Sequence, residues 1–193
     1  MAMDYEILSV YPHDVHAYTQ GLVFDGGYLY ESTGRKGHSS LRKVELETGE
    51  VLQRYDLPDS YFGEGITIFG ERIIQLTWRS NRGFVYNLDD FRPLGTFSYP
   101  TEGWGLAHDG ERLIMSDGTA NLYFLDPDTF KVLATLAVKN GLRTVENINE
   151  LEYVDGLIYA NIYQTQRIAV INPKGFWKDM RTNPDPARNR TTL

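Results

Sequence analysis

A chain of 193 residues, 41% hydrophobic and 23% charged, has the size and composition of one ordinary globular domain with a real core. Its 26 acidic and 19 basic residues give a net charge of −7, and no basic stripe precedes the C-terminal tail, which disfavours a nucleic-acid backbone as partner. The absence of cysteine excludes a disulfide framework and thiol chemistry. No stretch is long and apolar enough for a membrane span. Residues 1–6 lack the basic region and apolar core of a signal peptide, so no compartment is named; a periplasmic or secreted protein without its leader would look the same.

Residues 5–11, with Ile7 and Val10, read as a strand ahead of the first repeat. Residues 21–24 begin the next, Asp25-Gly26-Gly27 is a hairpin turn, and strands follow at 28–32, 40–46 and 51–57. The pattern repeats over 66–69, 72–77, 84–88 and 94–99, and again over 106–108, 112–116, 121–125 and 132–138. A fourth round offers three strands, at 152–154, 157–162 and 168–171, before the turn at 172–175. Short strands punctuated at this spacing leave little room for helix. Residues 1–175 are thus predicted to form the β domain, and the polar stretch 176–193 a disordered tail.

Each round carries the same signature at its start: Thr19-Gln20-Gly21-Leu22, Gly63-Glu64-Gly65-Ile66, Gly103-Trp104-Gly105-Leu106 and Asn149-Glu150-Leu151-Glu152. A period of 40 to 46 residues with several strands per unit is the mark of propeller blades. The innermost strands of a propeller line its channel, so equivalent positions converge there. The second position holds Gln20, Glu64, Trp104 and Glu150, and an amide, two carboxylates and an indole meeting in one place suit a binding or catalytic site. The 5–11 strand is a candidate clasp for the last blade.

Seven strings, in order, carry a resemblance: Pro12-His13-Asp14 with Tyr18-Thr19-Gln20-Gly21-Leu22, Tyr30-Glu31-Ser32-Thr33-Gly34, Phe62-Gly63-Glu64-Gly65-Ile66-Thr67, Gln75-Leu76-Thr77-Trp78, Gly103-Trp104-Gly105-Leu106, Ser116-Asp117-Gly118 and Asn149-Glu150-Leu151-Glu152-Tyr153. Over residues 5–173 the chain resembles the plant and bacterial type of glutaminyl cyclase, an all-β, five-bladed propeller. The resemblance implies an acyltransferase that converts the N-terminal glutamine of a peptide or protein to pyroglutamate and releases ammonia, without metal or cofactor. It implies Glu64 as the proton shuttle. Gln20, Gln75 and Asn149 would orient the substrate amide or amine, Trp78 and Trp104 would wall the pocket, and Glu31 and Glu150 would hold the amine or back the site.

Two departures stand out. Asn161-Ile162-Tyr163-Gln164-Thr165 has Tyr163 where the family has tryptophan, and nothing matches the family's lysine-bearing fifth blade. The expectation is a ring of about four blades with its last blade missing, poorly active, and with an open sheet edge through which copies could associate.

Plainer readings stand beside these. Glu64 could be a turn or channel-lining carboxylate, the tryptophans packing residues, and Gln75 and Asn149 partners for buried backbone groups. His13 and His16 fit the entry into the first blade better than a metal site, and Asp109, Asp117 and Asp126 fit turns. A non-catalytic propeller that binds as an interaction scaffold, or an inactive truncated relative of the enzyme, is the alternative from another class, and a calcium-dependent hydrolase using Glu31, Glu64 and Glu150 a third.

Overall fold

The computed structural model describes residues 6–174 and 176–181. Each blade is a four-stranded antiparallel sheet running outward in chain order. The first holds β1 (Thr19–Asp25), β2 (Tyr28–Thr33), β3 (Ser40–Glu45) and β4 (Val51–Asp56). The second holds β5 (Gly63–Phe69), β6 (Arg72–Thr77), β7 (Arg82–Asn87) and β8 (Pro93–Ser98). The third holds β9 (Leu106–His108), β10 (Leu113–Ser116), β11 (Asn121–Leu125) and β12 (Val132–Ala137). A small hairpin of β13 (Lys139–Asn140) and β14 (Arg143–Thr144), which periodicity did not foretell, leads to the fourth blade. That blade holds β15 (Ile148–Val154), β16 (Leu157–Ile162), β17 (Arg167–Asn172) and β18 (Phe176–Arg181). The described residues contain no helix.

Two expectations at the chain ends need correction. The fourth blade has four strands, because residues 176–181 pair with β17 from Asn172↔Phe176 to Arg167↔Arg181. A free strand edge supplies this ladder, and the segment contains no proline to interrupt it. The rest of the expected tail, 182–193, lies outside the described residues. Residues 6–11 form no strand, and Leu8 and Val10 are exposed. Every blade already has four strands of its own, so the segment clasps none; Tyr5 lies outside the described residues.

The cores lie between blades, which is why a middle strand such as β6 is buried on both faces while β4, β8 and β12 are largely exposed. Tyr30, Leu41, Ile66, Ile73, Tyr86 and Phe91 fill the first interval. Ile74, Leu76, Leu106, Leu113 and Met115 fill the second, and Ile114, Leu122, Ile148, Leu151 and Ile158 the third. Among the described residues no such cluster joins the fourth blade to the first. On the first blade, Leu22 and Phe24 are exposed, Phe24 by 59%.

Candidate active site

The register of the inner strands sets the site. In β5, Ile66 pairs with Gln75 and Gly63 with Thr77, so Glu64 and Gly65 bulge out opposite one residue. In β15, Leu151 pairs with Ala160 and Ile148 with Ile162, and Asn149 and Glu150 do the same. In β1, Gln20 is the bulged residue between Thr19 and Gly21. A bulge at a strand's start re-aims a side chain out of the pleat. Leu151 is therefore the counterpart of Ile66, and Asn149, not Glu150, is the counterpart of Glu64. The sequence alignment of the fourth repeat is corrected by one residue.

Glu150 consequently stands where the other blades have glycine. A Cβ at Gly21 would meet the Ile66 nitrogen at 2.6 Å, one at Gly65 the Trp104 carbonyl oxygen at 2.5 Å, and one at Gly105 would strike the Asn149 carbonyl oxygen. These glycines let successive inner strands touch backbone to backbone; Gly65 N–H donates to the Trp104 carbonyl at 2.7 Å. At the fourth blade the contact is made by a side chain instead. Glu150 Oε1 accepts the Leu22 N–H of the first blade at 3.2 Å.

At the mouth of the channel, Tyr18, Gln20, Phe62, Glu64, Trp78, Trp104, Asn149 and Tyr163 line a cavity of about 190 Å³. Phe62 packs on Trp78 with ring centroids 5.6 Å apart, Tyr18 meets Phe62 edge-on, and Tyr163 meets Trp104 edge-on at 5.4 Å. Trp104 also lies against Gly118, whose φ of +81° and lack of a side chain leave room for the indole. Both indoles are pinned by one oxygen: Trp78 Nε1–H donates to Glu102 Oε2 at 2.7 Å and Trp104 Nε1–H to the same atom at 3.0 Å.

Glu64 is 6% exposed. Burial first, and then the charge of Glu102, push its carboxyl up to about 9, so it carries a proton at neutral pH. Glu102 goes the other way. Partial burial pushes it up, but the N–H groups of Trp104, Arg79 and Trp78 donating to it outweigh burial and hold it below the usual carboxylate range. A neutral carboxyl in the pocket wall thus stands against an ionised one that holds its two indoles from outside the lining, the separation that acid–base chemistry exploits. Glu150, half-buried as a residue, has its Oε2 shut from solvent and unpartnered. Burial, aided by the charges of Glu152 and Glu64, raises it well above its ordinary value. Asn149 Oδ1 is likewise sealed and unpartnered.

Of the expected site residues, the structure brings together Gln20, Glu64, Trp78, Trp104 and Asn149. Glu150 lies beside them at the junction with the first blade. Gln75 and Glu31 are elsewhere. Gln75 is fully buried between blades, donating to Ser32 Oγ at 2.7 Å and accepting from Tyr86 at 3.1 Å. Glu31 sits inside the first blade, accepting from Thr19, with His13 Nε2 at 2.9 Å and Arg42 at 3.7 Å. Glu31 does not line that pocket, and among the described residues no three acidic, histidine or cysteine side chains are grouped so as to hold a metal ion. His13 and Asp14, paired with Glu31 and Arg42, fasten the entry into the first blade.

Sequence reasoning missed Tyr18, Phe62 and Glu102, and a periodic signal could have found them. Each lies two residues before a channel residue, at 20, 64 and 104, so the repeat presents a second tier of side chains.

A family model described as glutamine cyclotransferase matches residues 1–176. The chain belongs to the glutamine cyclotransferase family. The chain is 46% identical over 173 residues to an Arabidopsis thaliana protein named glutaminyl-peptide cyclotransferase, covering 88% of this chain and 53% of that one. It thus spans about half the length of the curated relative it matches. The crystal structure of Myxococcus xanthus glutaminyl cyclase superposes with a TM-score of 0.88 at 34% identity, over 98% of this chain and 82% of that one. The WD40 repeats of RRP9, at 14% identity and a TM-score of 0.60 over 86% of this chain and 52% of that one, share the propeller fold alone.

Proposed function

We propose that the protein is a glutaminyl-peptide cyclotransferase acting on peptides or proteins that begin with glutamine. One observation carries the reading: a buried carboxyl, neutral at physiological pH, forms part of an aromatic pocket otherwise lined by neutral amides and rings. A cavity of about 190 Å³ is below the roughly 300–1,000 Å³ of drug-sized ligand sites, so it suits one terminal residue rather than a length of chain. The aromatic walls hold that residue curled, with the α-nitrogen against its own side-chain carbonyl.

The uncharged α-nitrogen attacks the side-chain carbonyl carbon and closes a five-membered ring. The bond to the amide nitrogen then breaks and ammonia leaves. Glu64 gives its proton to the departing nitrogen, and its carboxylate takes up the proton that the attacking nitrogen sheds, so the enzyme ends as it began. Both indole N–H groups are already committed to Glu102, which leaves the side-chain amides of Gln20 and Asn149 as donors to the oxyanion. A purely binding scaffold has no use for a carboxyl kept neutral at such a point.

The test is to incubate the protein with a peptide beginning in glutamine and with its asparagine-initiated counterpart. Loss of ammonia by mass from the first alone is expected; no loss from either removes the assignment.

A further inference from the structure

We infer that Glu102 is the positioning residue of this pocket: a single carboxylate oxygen holds both tryptophan walls, and the same charge faces Glu64. The inference rests on the cyclase reading above and deepens it. Trp78 follows β6 and Trp104 precedes β9, so the two walls belong to different blades; Gly103 N–H donates to the Trp78 carbonyl at 2.9 Å and joins the two backbones, which leaves the gap between the two rings to be set by side chains. Glu102 Oε2 fixes it by accepting both indole N–H groups, at 2.7 and 3.0 Å. Its other oxygen accepts Arg79 Nε–H at 2.8 Å, while the Arg79 guanidinium lies 3.9 Å over the Trp78 ring. The carboxylate, the cation and the two indoles form one linked group, and charge-assisted bonds of this kind are short and directional. Tyr18 and Phe62 occupy the corresponding places in the first two blades and present rings; the third blade presents a carboxylate there instead.

The groups facing Glu64 are Glu102 and Tyr99 from the second-to-third blade connection and Glu150 from β15, with Arg79 as the cation next to Glu102. Replacing Glu102 by glutamine keeps an amide oxygen for both indoles and removes the negative charge. Glu64 then ionises more readily. Replacing Arg79, an exposed side chain, by methionine leaves the Glu102 charge uncompensated, and Glu64 ionises less readily. Replacing Glu102 by alanine frees both indoles.

The experiment measures kcat and KM against pH on a glutamine-initiated peptide for the parent, Glu102→Gln, Arg79→Met and Glu102→Ala. In parallel, the Glu64 side-chain carboxyl is titrated by carbon NMR in the free protein, its resonance assigned by its loss in Glu64→Gln. Expected are displacements of opposite sign: the alkaline limb and the Glu64 titration move to lower pH in Glu102→Gln and to higher pH in Arg79→Met. Glu102→Ala raises KM and lowers kcat/KM roughly 10–100-fold, as displaced walls would. A residue that merely stabilises the fold would weaken all variants alike without opposite displacements. Displacements of one sign, or none, overturn the inference, as does an unchanged KM in Glu102→Ala. The NMR titration needs no turnover, so it decides the point even if the parent cyclises nothing, an outcome that would remove the cyclase reading separately.

Discussion

The junctions between the first and second, second and third, and third and fourth blades differ in kind from the meeting of the fourth blade with the first. The first three are backbone on backbone at Gly21, Gly65 and Gly105, each backed by a buried apolar cluster. At the last, Glu150 takes the glycine's place and reaches to Leu22 N–H, while Leu22 and Phe24 stay exposed. The difference shows what glycine does here. Without a side chain the inner strands close up, and that closeness holds Gln20, Glu64 and Trp104 at fixed separations around the pocket. Where a side chain intrudes, the contact runs through a side-chain hydrogen bond with an ionisable group at its centre.

The largest effect is expected where the tight junctions place a proton carrier. Glu64→Gln is nearly isosteric but cannot shuttle a proton, so kcat should fall ~10²–10⁴-fold. The same variant should be more stable than the parent. The native carboxyl ionises near 9, against 4.5 for an ordinary glutamate. Its contribution to stability is therefore fully present below about pH 4.5 and lost as pH rises towards 9. The melting-temperature gain of the variant should widen across that window; a variant less stable at pH 8 than the parent would contradict the burial argument.

A methyl group at a tight junction should cost stability directly. Gly105→Ala sets a Cβ against the Asn149 carbonyl and the Glu150 Cα, neither of which can move aside as a flexible side chain would. A loss of roughly 1–3 kcal/mol is expected in denaturant unfolding, the usual toll of overpacking. An unchanged midpoint would mean the strands are not held as closely as described.

Trp104→Ala should act mainly on the substrate. Truncating a fully buried tryptophan costs roughly 3–5 kcal/mol, but this indole is half-buried and faces the cavity. KM should rise while the melting temperature drops less than for a core truncation. A large loss of stability with KM unchanged would return Trp104 to the core.

The smallest effect is expected at the fourth junction. Glu150→Gln keeps an acceptor for Leu22 N–H and removes a buried acid. Because the native carboxyl is raised, its stabilising contribution is lost as pH rises, so the variant should match the parent in acid and gain on it as pH climbs. Equal melting temperatures at pH 5 and pH 8 would show that Glu150 is not held neutral.

Much of this arrangement was legible in the sequence, because a propeller repeats its punctuation. Turn residues and apolar runs placed the first three blades nearly strand for strand, and the recurring Gly-Leu or Gly-Ile pair marked where the inner strands begin. The fourth blade departs from its apparent pattern for one physical reason. Glu150 replaces the glycine, so the spacing of acidic residues aligns it with Glu64, although Leu151 is the residue that shares the core position of Ile66 and Leu106. Pattern could not reveal that Glu31 and Gln75 turn inward to partners in their own and adjoining blades, since polar residues that satisfy a core look the same on paper as those that meet a substrate. The strand at 176–181 was hidden because a strand on a free edge needs backbone pairing more than alternation.

The most direct test of the central claim, that a neutral Glu64 carries the proton in glutamine cyclisation, is kcat/KM against pH for the parent protein on a glutamine-initiated peptide. Activity should rise as the substrate's α-amine loses its proton, at about 7.7–8.0, and fall as Glu64 ionises near 9, giving a narrow alkaline optimum. A profile that stays flat through pH 9, or one whose limb lies near 4.5 where an ordinary glutamate titrates, would contradict the account.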